Sequence, residues 1–295
     1  MESIWSYTFD KQLVVDPKEK HVLRTQNPSN PTGHKDKMTD LMFDKFDVPA
    51  VYVAQDAVLA LYAFGRSTGV VIDSGMNMSR VVPVYEGYHL PHAVNYLNLG
   101  GKDVTDHMVE MYTASGTFTK NMYSDKNELL KIMNRVKEAC SYVSLYFDED
   151  MKKNETKNFV LPDGKSINLK RTFLSSEILF KPSFVGCEQH SLSELIQASI
   201  AKCDSDVMKN LYSNILLAGG NTLLPGFGER IQSEVKSLAG EDYGESVKVH
   251  APSERHHSVW VGGSMMSTLS SHKHLWITKA EYEECGPSII RRKTL

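Results

Sequence analysis

Two short apolar runs in the sequence end in glycine, the pattern of a strand that stops at a tight turn. They are residues 69–75, which end in Gly75, and residues 215–220, which end in Gly219 and Gly220. Because glycine has no side chain, backbone amides at such junctions can approach a phosphate closely. Taken alone, each junction is more typical of a tight connection than of a nucleotide site.

Other chemically versatile side chains are scattered. The four cysteines form no CxxC pair, which predicts neither a zinc cluster nor a disulfide framework and fits a reducing compartment. The histidine pairs His256-His257 and His272-x-His274 have no acid or cysteine at ligand spacing, so we interpret them as surface or structural residues. We interpret Asp103 as a cap at the start of a helix.

The elements before the first junction follow from apolar periodicity. Residues 35–46 place apolar side chains on one helical face, and residues 50–54 read as a buried strand. Good helix formers then predict a helix over residues 55–63, with Asp56 in its first turn and Gly65 as its stop.

The elements around and after the junctions mix strands with helices. Residues 69–73 and 80–85 predict a hairpin. Apolar residues at three- and four-residue steps predict a long amphipathic helix over residues 129–147, and the charged stretch 148–158 predicts an exposed loop. A strand at 215–218 leads into a further helix. This alternation predicts α/β layers.

The bulk composition excludes several classes of protein. The chain has 295 residues, of which 41% are hydrophobic, and a formal net charge of -3. It is long enough for two domains with real cores, and its charge gives no surface for nucleic acid or an anionic membrane. The sequence shows no basic-then-apolar signal pattern and no apolar run of the roughly 18 residues that a membrane span requires.

Several longer runs together resemble actin and actin-related proteins, in the order in which that family carries them. These runs are residues 70–75 (VVIDSG), 82–88 (VPVYEGY), 90–93 (LPHA), 101–106 (GKDVTD), 161–164 (LPDG), 181–186 (KPSFVG), 202–204 (KCD), 258–264 (SVWVGGS), 276–279 (WITK) and 286–289 (GPSI). The resemblance extends over nearly the whole chain.

The resemblance implies an α/β, actin-like (ribonuclease H-like) fold of two domains, with mixed sheets flanked by helices. Residues 1–63 and 258–295 would form the large subdomain of domain one. Residues 64–99 and 188–257 would form the core of domain two, and residues 100–187 a small subdomain inserted into it.

The resemblance begins at a methionine that matches an internal position of the family. The family's first phosphate loop and small outer subdomain therefore have no counterpart here, and we expect domain one to be incomplete. Amide donors to a charged phosphate contribute about 1.5 to 3 kcal/mol each, so losing a loop of them would cost more than about 4 kcal/mol.

The resemblance also implies ATP or ADP with magnesium, bound weakly. Asp73 matches the acid that holds the metal through water, with Ser74 and Gly75 beside the phosphates. The remaining matches belong to the nucleotide site as well: Lys137, Glu138, Gly219, Gly220 and Asn221, the last as a replacement for threonine.

The departures predict that hydrolysis is inefficient. Met76-Asn77 replaces an Asp-Gly pair in the phosphate turn, Asp56 aligns with the glutamine that orients the attacking water, and Arg80 aligns with a histidine near that water. At the base, leucine and histidine replace tyrosine and lysine: Leu224 and His256. The only candidates for a catalytic role are Asp56 and Asp73.

A groove that binds short amphipathic helices of partner proteins is better preserved. We expect it to be lined by Tyr62, Ala63, Gly65, Tyr88, Met266, Leu269 and Ser271. For these seven residues taken together, we favour the interpretation that they line a groove over the interpretation that they are ordinary buried residues.

These observations favour an actin-like cytoskeletal protein that joins or caps actin-type filaments or sits in a larger assembly, with weak or absent nucleotide binding. The alternative is a fragment of a conventional ATP-binding, polymer-forming actin ATPase. We expect actin, actin-like subunits and amphipathic-helix proteins as partners, and neither nucleic acid nor membrane. The expected location is the cytoplasm and cytoskeleton, with the nucleus or a cilium as alternatives.

Overall fold

The computed structural model describes residues 1–117 and 126–293. In that part of the chain the strands are β1 (Val22–Gln26), β2 (Ala50–Gln55), β3 (Gly69–Ser74), β4 (Ser79–Tyr85), β5 (Tyr88–His89), β6 (Asn95–Leu97), β7 (Thr156–Val160), β8 (Ser166–Lys170), β9 (Ile215–Ala218), β10 (Val249–His250) and β11 (Ile277–Thr278).

The helices of the same ranges are α1 (Glu2–Tyr7), α2 (Thr32–Asp40), α3 (Asp56–Ala63), α4 (Gly101–Ala114), α5 (Lys126–Cys140), α6 (Phe147–Lys152), α7 (Leu174–Glu177), α8 (Leu192–Ile200), α9 (Ser205–Tyr212), α10 (Phe227–Tyr243), α11 (Ser258–Thr268), α12 (Lys279–Cys285) and α13 (Ile290–Lys293). Helix α2 runs on into a π-helical segment, Leu41–Lys45.

The chain divides into two compact units. The first unit comprises Met1–Ser67, Glu86–Pro91 and Ser258–Leu295, and the second comprises Thr68–Tyr85 and His92–His257. Two segments that the sequence analysis assigned to domain two, residues 64–67 and 86–91, thus group with the first unit. A separate subdomain over residues 100–187, of which 118–125 lie outside the described residues, stays a prediction.

Strand β2 is the centre of the first unit's sheet. It is parallel to β1, with Val51 opposite Val22, and antiparallel to β11. All six residues of β2 are buried. The face that carries Val51 and Val53 packs into an apolar core with Phe43. A strand that is buried on both faces has a nearly continuous apolar sequence, which is why the sequence of β2 predicted a buried strand.

Helices α3 and α11 of the first unit pack directly against one another, and Gly262 permits their close approach. A Cβ atom at this glycine would overlap the carbonyl oxygen of Leu59 and lie 2.6 Å from its carbonyl carbon. Met266, one turn later on α11, packs with Leu59 and Tyr52 in a second apolar cluster.

The sheet of the second unit brings its two strand–glycine junctions together. Strands β10, β9, β3 and β4 lie side by side in that order, and β6 pairs with β4. Strand β3 is parallel to β9, with Asp73 opposite Ala218. Because parallel strands end at the same edge of a sheet, Ser74 and Gly219 are neighbours there.

An apolar core of the same unit is formed by α4, α5 and the hairpin of β7 and β8. The apolar face of α5, including Met133 and Val136, packs against Met108 of α4 and Leu169 of β8. The spacing of these residues on α5 follows the helical period, so one face of the helix is apolar and the other is polar.

The predicted long helix ends earlier than expected, at Cys140 rather than near residue 147. The carbonyl oxygen of Cys140 accepts hydrogen bonds from Thr172 Oγ1 at 2.8 Å and Lys157 Nζ at 2.9 Å. The amide of Val143 donates to Pro225 O at 2.8 Å. Residues distant in the sequence therefore bond the backbone carbonyl and amide groups that would otherwise continue the helix. Val143 is nevertheless buried.

The stretch 148–158 is largely exposed, as predicted, but it is not a loop. Its residues contribute to α6 and β7. Asp150, in contrast, is buried, and its carboxylate accepts from Ser144 Oγ at 2.7 Å and Lys153 Nζ at 2.6 Å. Polar residues of β7 remain on the surface and pair with β8 through the backbone, with Asn158 opposite Asn168. Charge alone did not reveal this pairing.

Other sequence predictions are confirmed. The strands and helices expected over residues 35–63 are present, as are the hairpin of β3 with β4 and the strand β9 that precedes α10. Asp103 caps α4, since its Oδ2 accepts from the amide of Gly100 at 2.8 Å. Within the described residues, no helix is long and apolar enough to span a membrane.

Candidate functional site

Gly219 forms the contact between the two junctions. Its φ is +85°, and a Cβ atom there would lie 2.6 Å from Asp73 Oδ1 and closer still to Ser74 O. Only glycine fits such a position without moving the backbone. Asp73, Ser74, Gly219 and Gly220, all predicted from the sequence, are therefore brought together at one edge of the sheet.

A buried chain of hydrogen bonds fixes the end of β3. Asn221 Nδ2 donates to Ser74 Oγ at 3.0 Å, and Ser79 Oγ donates to Leu99 O at 2.9 Å. The Ser74 and Ser79 hydroxyl oxygens lie 2.7 Å apart. Because the Ser79 proton goes to Leu99, Ser74 donates to Ser79. Ser79 was missed by the sequence analysis, since a buried serine has no local signal.

The turn after β3, residues 75–78, is held by the first turn of α4. The carbonyl oxygens of Gly75 and Met76 accept from the amides of Gly101 at 2.9 Å and Lys102 at 2.8 Å. Gly100 lies against the same turn, where a Cβ atom would be 2.7 Å from Met76 O. The Met76 and Asn77 side chains are exposed. The Gly-Gly pair at 100–101 is a sequence signal for this contact that was not used.

Polar groups converge on Gly101. The position of a Cβ atom at this glycine is 3.3 Å from Lys137 Nζ and 3.5 Å from Asn221 Oδ1. Asn221 Oδ1 is buried and has no hydrogen-bond partner among the described residues. Lys137 Nζ is buried too and donates to Gly101 O at 2.8 Å. We call this space, bounded by Gly101, Lys137 and Asn221, the Gly101 cradle.

The two neighbouring residues on α5 differ in environment. Burial lowers the pKa of Lys137, with Glu138 opposing that change. Glu138 is exposed and accepts from Asn134 Nδ2 at 2.6 Å. Of this predicted pair, Lys137 is thus the one that the structure places beside the strand junctions. Its burial was not expected, because the sequence put it on the polar face of a helix.

Asp73 forms an ion pair with Arg80. The two residues are directly opposite in the register of β3 and β4, and Arg80 Nη2 contacts Asp73 Oδ2. The Asp73 side chain is 19% exposed and the Arg80 side chain is 14% exposed. The sequence analysis named Arg80 only as a replacement and did not foresee this pairing.

Asp56 belongs to the first unit, at the start of α3. Its Oδ1 accepts from the amide of Ala57 at 2.8 Å. Gln55, the preceding residue, is buried at the end of β2. Asp56 therefore behaves as a carboxylate at a helix N-terminus, where an anion is stabilised.

The predicted groove residues also belong to the first unit, and they differ in exposure. Met266 is only 4% exposed and is part of an apolar cluster, whereas Leu269 is 49% and Tyr88 57% exposed. Ser271 Oγ lies 3.1 Å from His272 Nδ1. Ala63 and Tyr62 are partly buried, and Gly65 is exposed with a φ of +71°. Met266 is thus a core residue rather than an accessible lining residue.

A comparison with protein-family models identifies the chain. The actin family model matches residues 1–295. The protein belongs to the actin family. The α/β, actin-like fold implied by the sequence motifs is confirmed by this match. Family membership implies that ATP or ADP binds together with magnesium. The residues of this site indicate how well such a ligand would fit.

The residues matched to the nucleotide site differ in how far they keep polar groups uncommitted. Asn221 Oδ1 is an acceptor without a partner among the described residues, and Lys137 supplies ammonium donors to the same space. Asp73, in contrast, has one carboxylate oxygen on Arg80, and its side chain is only 19% exposed. As placed, it does not fit a magnesium ion held through water. The nucleotide roles of these residues stay predictions.

Metal binding by other side chains has no support in the described ranges. Within residues 1–117 and 126–293, no group of three or more histidine, cysteine, aspartate or glutamate side chains converges.

Proposed function

We propose that this actin-family protein is a structural or interaction subunit that joins or caps actin-type filaments or a larger assembly. In this proposal it binds nucleotide weakly and does not hydrolyse ATP efficiently. The observation that carries the nucleotide part of this proposal is the ion pair of Asp73 with Arg80. A carboxylate engaged by a guanidinium is poorly disposed to organise the metal that assists phosphoryl transfer.

Two further features support weak catalysis. Met76-Asn77 leaves the phosphate turn without the acid that the family carries there, and both side chains are exposed. Asp56, the residue aligned with the water-orienting glutamine, is anchored to the amide of Ala57. In this proposal, the lack of the family's acid in the phosphate turn and of its water-orienting glutamine supports inefficient hydrolysis.

Phosphate release from ATP tests the catalytic part of this proposal. We expect purified protein to release phosphate at the background rate of buffer, and Asp56→Ala to behave identically. The Asp56→Glu variant controls for changes in charge. Steady turnover by the wild-type chain that is lost in Asp56→Ala would contradict the proposal.

The interaction part rests on the exposed apolar residues of the predicted groove. Leu269 and Tyr88 are large and accessible, and exposed apolar side chains of this kind are typical of docking sites. Met266→Asp is unsuitable as a test, because a charge in the core would unfold the unit. Leu269→Asp changes only a half-exposed side chain.

Co-sedimentation with actin filaments and pull-down with amphipathic-helix peptides measure this interaction. We expect Leu269→Asp to weaken binding at least about tenfold, which corresponds to about 1.4 kcal/mol. The matched control is Val160→Asp, an exposed apolar residue of the second unit. Equal loss in both variants, or loss in neither, would refute the role of this surface.

One observation favours the alternative, a conventional ATP-binding, polymer-forming ATPase. The Gly101 cradle retains two of the residues matched to the family's nucleotide site, with an amide oxygen that has no hydrogen-bond partner among the described residues and a buried ammonium group. Nucleotide extracted from the freshly purified protein, together with light scattering against protein concentration, separates the two functions. Stoichiometric ADP and polymerisation above a critical concentration would establish the alternative.

A further inference from the structure

Asp73 and Arg80 are held together by the backbone of the sheet. They face one another across the antiparallel pair of β3 and β4, where side chains of opposed residues project from the same face. Strand β3 is paired on its other side with β9, so its position is fixed from both edges. The ion pair is therefore a consequence of register and not of two mobile surface chains meeting.

One oxygen of the Asp73 carboxylate is already in use, and the side chain as a whole is only 19% exposed. Oδ2 receives Arg80 Nη2. Magnesium keeps several of its waters and demands near-octahedral geometry. A hydrated ion needs room and negative charge at this carboxylate, and the guanidinium removes both.

We propose that Arg80 closes Asp73 to divalent cations, so that nucleotide at the second unit's strand junctions binds without magnesium. The part that concerns nucleotide rests on the proposed function. Arg80 is then a specificity residue. Its permanent positive charge neutralises Asp73, which would otherwise repel a phosphate group unless a metal ion were present.

Manganese binding to the nucleotide-free protein tests the exclusion directly. Free Mn²⁺ is counted by electron paramagnetic resonance during titration of wild type, Asp73→Asn, Arg80→Gln and the double variant Arg80→Gln/Asp73→Asn. We expect no saturable site that depends on Asp73 in wild type, and one new site in Arg80→Gln that the double variant loses. Arg80→Lys is the matched control that keeps the charge, and it gains no site.

Each result decides the proposal. A site in wild type that Asp73→Asn abolishes would overturn it, as would an Arg80→Gln protein that folds and still gains no site. Thermal melting by circular dichroism shows whether Arg80→Gln folds. If it does not, the comparison of wild type with Asp73→Asn, which replaces the carboxylate by a neutral group of the same shape, still decides whether Asp73 is open to metal.

Nucleotide affinity with and without magnesium separates this inference from the proposed function. A fluorescent ATP analogue is titrated in excess MgCl₂ and in EDTA. We expect the two dissociation constants of wild type to agree within about threefold, whereas Arg80→Gln binds at least about tenfold tighter with magnesium. Wild-type affinity that rises tenfold with magnesium would overturn the inference. ATP turnover without manganese binding at Asp73 would instead refute only the proposed function.

Discussion

Replacement of Gly219 by alanine is the sharpest test of the strand junction. At a φ of +85° and a ψ of +149°, Gly219 occupies a region that is essentially restricted to glycine, and placing another residue there costs about 1 to 3 kcal/mol. The new Cβ atom would also meet Asp73 Oδ1 at 2.6 Å and the backbone of Ser74. Overpacking of this kind adds about 1 to 3 kcal/mol.

A conservative sum of about 3 kcal/mol is large against the roughly 5 to 15 kcal/mol that stabilise a typical domain. For a unit of this size, each kcal/mol lowers the melting temperature by about 2 to 4 °C, so we expect a decrease of about 6 to 12 °C. Gly220→Ala is the matched control, because its Cβ atom would meet nothing within 4 Å and its φ is not positive.

The assay is thermal melting followed by far-ultraviolet circular dichroism and, separately, by tryptophan emission. All three tryptophans, Trp5, Trp260 and Trp276, belong to the first unit, so their emission follows that unit, whereas circular dichroism follows both. We expect the decrease in melting temperature to appear in the circular dichroism signal. If Gly219→Ala and Gly220→Ala melt within about 1 °C of one another, the geometry at the junction is not as described.

Three further predictions concern stability. Arg230→Ala removes the 3.0 Å ion pair of the fully buried Glu177 and leaves it only Lys181 at 3.8 Å, so we expect a loss of about 3 kcal/mol in urea denaturation, largely recovered when Glu177 is also replaced by leucine. Gly262→Ala separates α3 from α11 and lowers the melting temperature far more than Gly263→Ala, whose Cβ atom would meet only side chains, at 3.4 Å and 3.6 Å. A hydrogen bond from Lys293, followed by one from Thr278, lowers the pKa of Glu281 from 4.5 to about 2. Because the folded pKa is lowered, this stabilisation is complete above about pH 4.5 and disappears as the pH falls towards 2, so Glu281→Gln costs under about 1 kcal/mol at pH 7 and nothing at pH 2.

Arg230 and Glu177 show how far a sequence pattern reaches. The helix through Arg230 was predicted correctly, because α10 follows a strand and a Pro-Gly turn. Its buried partner lies 53 positions away in the sequence, and nothing in the local pattern distinguishes a glutamate that is fully buried from one on the surface. Burial of a charge is decided by elements that are distant in the chain.

Met266 and Leu269 illustrate the same limit at the predicted groove. The motif match placed both in one lining, but the cluster around Tyr52 and Leu59 covers Met266 and leaves Leu269 half exposed. Helix α11 is apolar on more than one side, so its sequence does not indicate which residues face the sheet. Only the packing of α11 on α3 settles it.

The residue pattern was sufficient to predict the family, the order of the strands and helices around the junctions, and the two places where glycine ends a strand. These features are local or ordered along the chain, and they arise from periodicity and glycine chemistry. The tertiary structure alone decided that Asp73 pairs with Arg80, that Lys137 turns inward and that Asn221 Oδ1 lacks a partner within the described residues. Those facts depend on strand register and on which surfaces cover each other, and the free energy of a charged or polar group changes most when it is buried.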